Sequence, residues 1–150
     1  MNPSETKPAV CHHPLIGVGA IVIKNDRLLL GLRKGSHGAG TWCPPGGHLE
    51  FGESLFACAG RETLEETSVE VRATNLMTFT EDFMPREDKH FLTHFIKCTY
   101  IAGDPQVMEP KKLQEVGWVT QDQLWDYFRK GKLFSPIAQL LGREFDLFAK

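Results

Sequence analysis

The sequence contains no Cys-x-x-Cys pair. Its four cysteines, Cys11, Cys43, Cys58 and Cys98, stand at long and irregular intervals. That pattern argues against a zinc site and against a disulfide framework. They read as reduced thiols of a cytoplasmic protein, with Cys58 and Cys98 packed as small hydrophobes. No apolar run reaches the roughly 18 residues of a membrane span, so no membrane partner is expected. Residues 1–10 lack the apolar core of a signal peptide. Basic residues are not in excess: 17 Lys and Arg stand against 19 Asp and Glu, a net charge of −2. Non-specific binding to nucleic acid needs a strongly basic surface, so no nucleic-acid partner is expected either. There is no internal repeat and no low-complexity tract.

What is present fits one soluble domain. The chain has 150 residues, 41% hydrophobic and 24% charged, enough to bury one core without staples. Residues 1–14 read as a short flexible arm with His12 and His13 exposed at its end. Residues 15–150 read as a single domain. Residues 16–23 (IGVGAIVI) suit a buried strand. Asn25-Asp26 turns the chain, and residues 27–32 return as the second strand of a hairpin. A glycine-rich loop follows, ending in Pro44-Pro45-Gly46-Gly47. A helix is expected from about Glu53-Ser54 to Thr67. Further strands are expected over 75–83, 91–101 and 116–120, with helices over 121–130 and 136–141 and a stop at Gly142. Strands outnumber helices and turns join most of them. The fold class is α+β, a mixed sheet with helices on both faces.

Residues 46–71 carry the chemistry. Glu53, Glu62, Glu65 and Glu66 gather around one helix. At 3.6 residues per turn, positions 62, 65 and 66 fall within about 100° of one another. Three carboxylates on one face repel, and a solvated face is the ordinary explanation of such a cluster. A hard divalent cation such as Mg²⁺ offers another, because it takes carboxylate and phosphate oxygens. The Gly46-Gly47 turn can bring backbone groups close to a ligand. Arg61 is placed to reach Glu53, an ion pair that would tie the loop to the helix.

These residues resemble the Nudix box, G-x5-E-x7-R-E-U-x-E-E-x-G-U, where U is a bulky aliphatic residue. Gly47, Glu53, Arg61, Glu62, Glu65, Glu66 and Val69 fall at its spacings. Two positions depart. Thr63 replaces an aliphatic residue, a packing change, and Ser68 replaces the glycine that ends the helix. Residues 33–53, Met108-Glu109-Pro110 before Trp118, and Leu133-Phe134 before Pro136 are similar to the Nudix nucleoside-triphosphate diphosphatases of modified purine nucleotides and to related plant enzymes.

The resemblance implies a Nudix fold, an α/β/α sandwich around a mixed sheet. It also implies hydrolysis of a nucleoside triphosphate, oxidised or otherwise modified, to a monophosphate and pyrophosphate. Alternatives are another diphosphate-linked substrate (a nucleotide sugar, a pterin triphosphate or an isoprenoid diphosphate), or a catalytically silent nucleotide sensor. It implies Mg²⁺, with Mn²⁺ as a substitute, held by Glu62, Glu65, Glu66 and the Gly46 carbonyl. The catalytic set is Glu62, Glu65 and Glu66, with Glu62 favoured as the base. A further ligand is either Glu109 or Glu115. Arg33, Gly47, His48, Thr93 and Phe134 are the substrate-binding candidates. Arg33, His48 and Phe134 have an ordinary reading beside that one, as surface or core residues. Ser135 stands where close relatives have tryptophan, which would enlarge or repolarise the pocket. By analogy the enzyme is a homodimer.

Overall fold

The computed structural model describes residues 12–35 and 37–150. Most of the expected arm, including Cys11, lies outside the described residues. At its end, His12 pairs through Nε2 with Asp88 Oδ2 at 2.7 Å.

The expected hairpin forms from β1 (Leu15–Lys24) and β2 (Arg27–Arg33). Asn25 and Asp26 between them adopt φ of 52° and 60°. Two left-handed residues match the twist of the strands they join, and Asn and Asp tolerate that conformation best after glycine. The glycine-rich loop contains two short strands, β3 (Trp42–Cys43) and β4 (Gly46–His48). Next come α1 (Leu55–Thr67), β5 (Glu70–Met84), a 3₁₀ turn (Pro85–Glu87) and β6 (Lys89–Ala102). The chain finishes with β7 (Leu113–Thr120), α2 (Gln121–Arg129) and α3 (Ser135–Gly142).

β5 starts at Glu70, earlier than the expected 75. Its pairing with β6 shifts register between Ala73 and Asn75 and again between Leu76 and Thr78. Each bulge offsets the period-two alternation that marks a strand in sequence.

β6 runs parallel to β1, with Gly17 opposite Thr93 and Gly19 opposite Phe95. The other pairs are antiparallel, and the sheet order is β3-β2-β1-β6-β5, with β4 on β1 and β7 on β2. The alternation of β1 splits the core in two. Val18, Ala20 and Val22 pack with Leu29, Ile96 and Cys98 against Cys58 and Ala59 of α1. Ile21 packs with Leu28, Leu30 and Phe95 against Leu124 of α2 and Ile137, Leu140 and Leu141 of α3. The result is an α/β/α sandwich. Each fully buried aliphatic side chain contributes about 1.5–3 kcal/mol, so both faces hold the helices firmly.

Local signals set the ends of α1. Ser54 caps its start, accepting from the Ala57 amide at 3.0 Å. Ser68 ends it in the left-handed conformation, φ 65°, and donates its N–H to Leu64. It does the work of the glycine it replaces. Thr63, the other departure, is fully buried, and its hydroxyl donates to the Ala59 carbonyl at 2.7 Å. The polar atom is thus satisfied inside the helix.

Candidate active site

A cleft of about 570 Å³ opens between β1, the loop after β2, α1 and the start of α3. Gly17 and Gly19 lie in its floor. A Cβ on Gly17 would come within 3.2 Å of Thr93 Oγ1, and one on Gly19 within 3.3 Å of the Phe95 ring. Larger residues in either place would fill the space that makes the cleft.

β4 lies on β1, with Gly47 opposite Val18. Helix α1 presses Glu62 against that glycine: a Cβ on Gly47 would stand 2.5 Å from Glu62 Oε1. A Cβ on Gly46 would collide with the Val18 carbonyl. Gly46 is therefore required by the approach of backbone, and Gly47 by the place that the Glu62 carboxylate takes.

Arg61 organises the carboxylates. Its Nε donates to Glu53 Oε2 at 2.7 Å and its Nη2 to Glu53 Oε1 at 2.9 Å. Its Nη1 reaches Glu62 Oε1 at 2.9 Å and Glu65 Oε2 at 3.2 Å. These hydrogen bonds hold the Glu53 pKa down to about 2, and the same partners raise that of Arg61. Glu62 and Glu66 are buried, whereas Glu65 is exposed. Burial pushes Glu66 far above the ordinary carboxylate value, and the adjoining Glu62 adds to the shift.

Carboxylate oxygens of Glu62, Glu65 and Glu109 all lie within 4.8 Å of one another. The loop before β7 is tied to the end of α1, the amides of Gln106 and Met108 donating to the carbonyls of Thr67 and Glu66. That path delivers Glu109. Glu115 is exposed on β7, opposite Leu32, and does not line the cleft. Glu66 and Gly46 both line the cleft.

The substrate-binding candidates all line the cleft. His48 projects from the end of β4, its ring 5.4 Å from that of Phe91. Partial desolvation and then the Lys89 charge lower its pKa, favouring neutral imidazole. Arg33 stacks on Phe134, Cζ lying 4.1 Å from the ring centroid. Its Nε donates to the His37 carbonyl at 3.1 Å. Arg33 and Phe134 thus form one wall, and one face of Phe134 already carries the guanidinium. Ser135 has its hydroxyl turned to Asp82 as a donor.

Sequence reasoning missed Lys34, Lys111 and Lys112. The three lysines line the cleft, and Lys112 Nζ lies 3.1 Å from Glu109 Oε2. The Lys111-Lys112 pair next to Met108-Glu109-Pro110 was the available signal. The cleft lining therefore combines the carboxylates Glu62 and Glu66, with Glu109 close to Glu62, and the cations Arg33, Lys34, Lys111 and Lys112. A polyanion bridged by cations suits such a pairing. Among the described residues, no helix is long and apolar enough to cross a membrane, and Cys43, Cys58 and Cys98 are free thiols.

Known proteins share both sequence and fold with this chain. The NAD-capped RNA hydrolase NudC of Edwardsiella ictaluri is 34% identical over 114 residues, covering 75% of this chain but only 42% of that protein. The oxidized purine nucleoside triphosphate hydrolase of Mus musculus is 28% identical over 104 residues, 69% of this chain and 65% of that one. The chain thus spans less than two thirds of the length of either. The MutT Nudix hydrolase structure from Burkholderia pseudomallei superposes with a TM-score of 0.70 at 29% identity, covering 75% of this chain and 87% of its own. The MutT protein from Methanosarcina mazei, at 21% identity, shares the fold with a TM-score of 0.74, covering 88% of this chain and 93% of its own. With the Nudix domain model matching residues 13–140, the chain belongs to the Nudix hydrolase family.

Proposed function

We propose that this enzyme cleaves a nucleoside triphosphate between its α and β phosphates, releasing a monophosphate and pyrophosphate, with Mg²⁺ or Mn²⁺ as cofactor. One observation carries the reading: the converging oxygens of Glu62, Glu65 and Glu109 adjoin a cleft whose other wall is the stacked pair Arg33 and Phe134. The first can take metal and phosphate, the second a base.

The donor set fits a hard divalent cation. It is all oxygen and anionic, and burial, with the adjoining Glu62, keeps Glu66 from ionising when no cation is near. Glu62, Glu65, Glu66 and Glu109, with the Gly46 carbonyl, would hold it. A bound divalent cation would neutralise phosphate charge and acidify water. The remaining work falls to the chain. Glu62 accepts the proton of the attacking water, held in place by Arg61 and by the bare backbone of Gly47. Neutral His48 donates to a phosphate oxygen. Arg33, Lys34 and Lys111, which line the cleft, bind the phosphates. Phe134 and Thr93 face the base. The reading includes a cytoplasmic homodimer that engages neither membrane nor nucleic acid.

A panel assay tests this. It comprises nucleoside triphosphates, oxidised purine triphosphates, a nucleotide sugar, NAD, a pterin triphosphate and an isoprenoid diphosphate. Turnover should be highest on a triphosphate, with pyrophosphate as co-product. Preference for NAD would replace this reading, and no turnover on any substrate would favour a silent sensor.

A further inference from the structure

Lys34, Lys111 and Lys112 all line the cleft. Among the described residues, Lys112 is the one of these lysines that pairs with a carboxylate: its Nζ lies 3.1 Å from Glu109 Oε2. A tight turn builds the pair. The amides of Lys112 and Leu113 both donate to the Glu109 carbonyl, at 2.9 and 3.0 Å, and the Lys34 amide donates to the Lys112 carbonyl at 2.8 Å. Glu109 is also the residue whose carboxylate meets those of Glu62 and Glu65 within 4.8 Å. Its charge thus has two claimants, the ammonium and a divalent cation. The Lys112 pKa is raised, first by its hydrogen bond to Glu109, with Glu66 and Glu62 adding to the shift. The ammonium therefore stands in the field of the whole carboxylate group. The Lys112 side chain is 63% exposed, so the pair is weak, and its flexible four-carbon stem can swing.

We propose that Lys112 is a positioning residue that gates Glu109: its ammonium holds the Glu109 carboxylate in the metal-free enzyme, competes with the divalent cation for it, and moves to the phosphates when substrate binds, releasing Glu109 to the metal. The proposal rests on the metal-dependent reading above and adds a coupling between the two ligands. An ammonium beside a carboxylate cancels part of the charge that a divalent cation seeks, and it repels that cation at short range. An exposed pair of this kind contributes little, so the several charges of a polyphosphate can win the ammonium. The phosphates arrive next to it. Lys111 precedes Lys112 in the chain, the Lys34 amide is bonded to the Lys112 carbonyl, and both neighbours line the cleft. Phosphate binding thus strengthens the metal's hold, and by linkage the metal strengthens substrate binding by the same factor.

Mn²⁺ binding to the full chain, followed by electron paramagnetic resonance without nucleotide, tests this apart from turnover. Lys112→Met keeps an apolar stem and removes the charge. It should bind Mn²⁺ about 3- to 5-fold more tightly than wild type, the scale of an exposed ion pair, while Lys112→Arg should stay near wild type. Glu109→Gln should bind Mn²⁺ more weakly. In that background Lys112→Met should bring no further tightening, because the carboxylate it competed for is gone. A non-hydrolysable α,β-methylene analogue of GTP should tighten Mn²⁺ binding to wild type more than to Lys112→Met. If Lys112→Met fails to fold, Lys112→Gln carries the same comparison, with metal-free melting curves as the check. Absence of Mn²⁺ binding to wild type sinks the metal-dependent reading and this proposal together. If Mn²⁺ binds but the analogue does not, the triphosphate reading fails, and the comparison without nucleotide still decides the role of Lys112. Mn²⁺ binding that is unchanged or weaker in Lys112→Met overturns this proposal alone. So does equal tightening in the Glu109→Gln background, which marks a field effect and not a competition, or an equal response of wild type and Lys112→Met to the analogue.

Discussion

Arg61 grips Glu53 with two parallel hydrogen bonds, 2.7 and 2.9 Å long, and turns its remaining nitrogen to Glu62 at 2.9 Å. One guanidinium therefore fixes the loop before α1 and aims the carboxylate that faces Gly47. A lysine is a point charge and cannot make the paired fork. Arg61→Lys should keep the fold but lower kcat about 10- to 100-fold, the range seen when groups that orient ligands are lost. Steady-state kinetics beside a melting curve separate the two. An unchanged kcat would reduce Arg61 to a surface cation.

Gly47→Ala should be harsher on activity than on folding. The added methyl would stand 2.5 Å from Glu62 Oε1, so Glu62 must swing away. Displacing a reacting group by about 1 Å costs on the order of 100-fold. Near-normal activity with a near-normal melting temperature would show that Glu62 does not need its present position.

Glu66→Gln should abolish turnover in magnesium, by about 100-fold or more for a ligand charge, and should also change how metal-free stability depends on pH. The unfolded chain ionises Glu66 near its ordinary 4.5, whereas the folded metal-free chain keeps the proton to higher pH. Above 4.5 the native state therefore binds more protons than the unfolded state, and stability falls as pH rises, by at most about 1.4 kcal/mol per pH unit. The glutamine variant should lose that slope. Urea unfolding in EDTA at a series of pH values measures it, and parallel wild-type and variant profiles would contradict the assignment.

Much of this site was legible in the sequence because its geometry is local. Glu62, Glu65 and Glu66 share one face of one helix, and Gly46-Gly47 and Glu53 sit within a turn or two of it. Burial of both faces of the sheet was legible too, since residues 16–23 of β1 are an unbroken apolar run. The choice between Glu109 and Glu115 was not. It depends on backbone bonds from Gln106 and Met108 to the end of α1, and no residue pattern announces those. The same holds for Ser135 and Asp82, 53 residues apart in the chain, and for Arg33 laid across Phe134. The start of β5 was hidden by bulges that break its alternation.

Ser68→Gly offers a gain rather than a loss. Ser68 holds φ at 65°, a conformation that costs a non-glycine residue roughly 1–2 kcal/mol. Glycine should recover about 1 kcal/mol, less its extra entropy in the unfolded chain. Denaturant midpoints should rise while kcat stays the same. A lower midpoint would mean that the serine hydroxyl stabilises the cap.

The central claim, metal-dependent cleavage between the α and β phosphates, is tested most directly by following GTP with ³¹P NMR in the presence of Mg²⁺ and then adding EDTA. The account predicts that pyrophosphate and GMP signals grow together and that both stop growing when EDTA is added. Orthophosphate with GDP, or turnover that continues in EDTA, would contradict it.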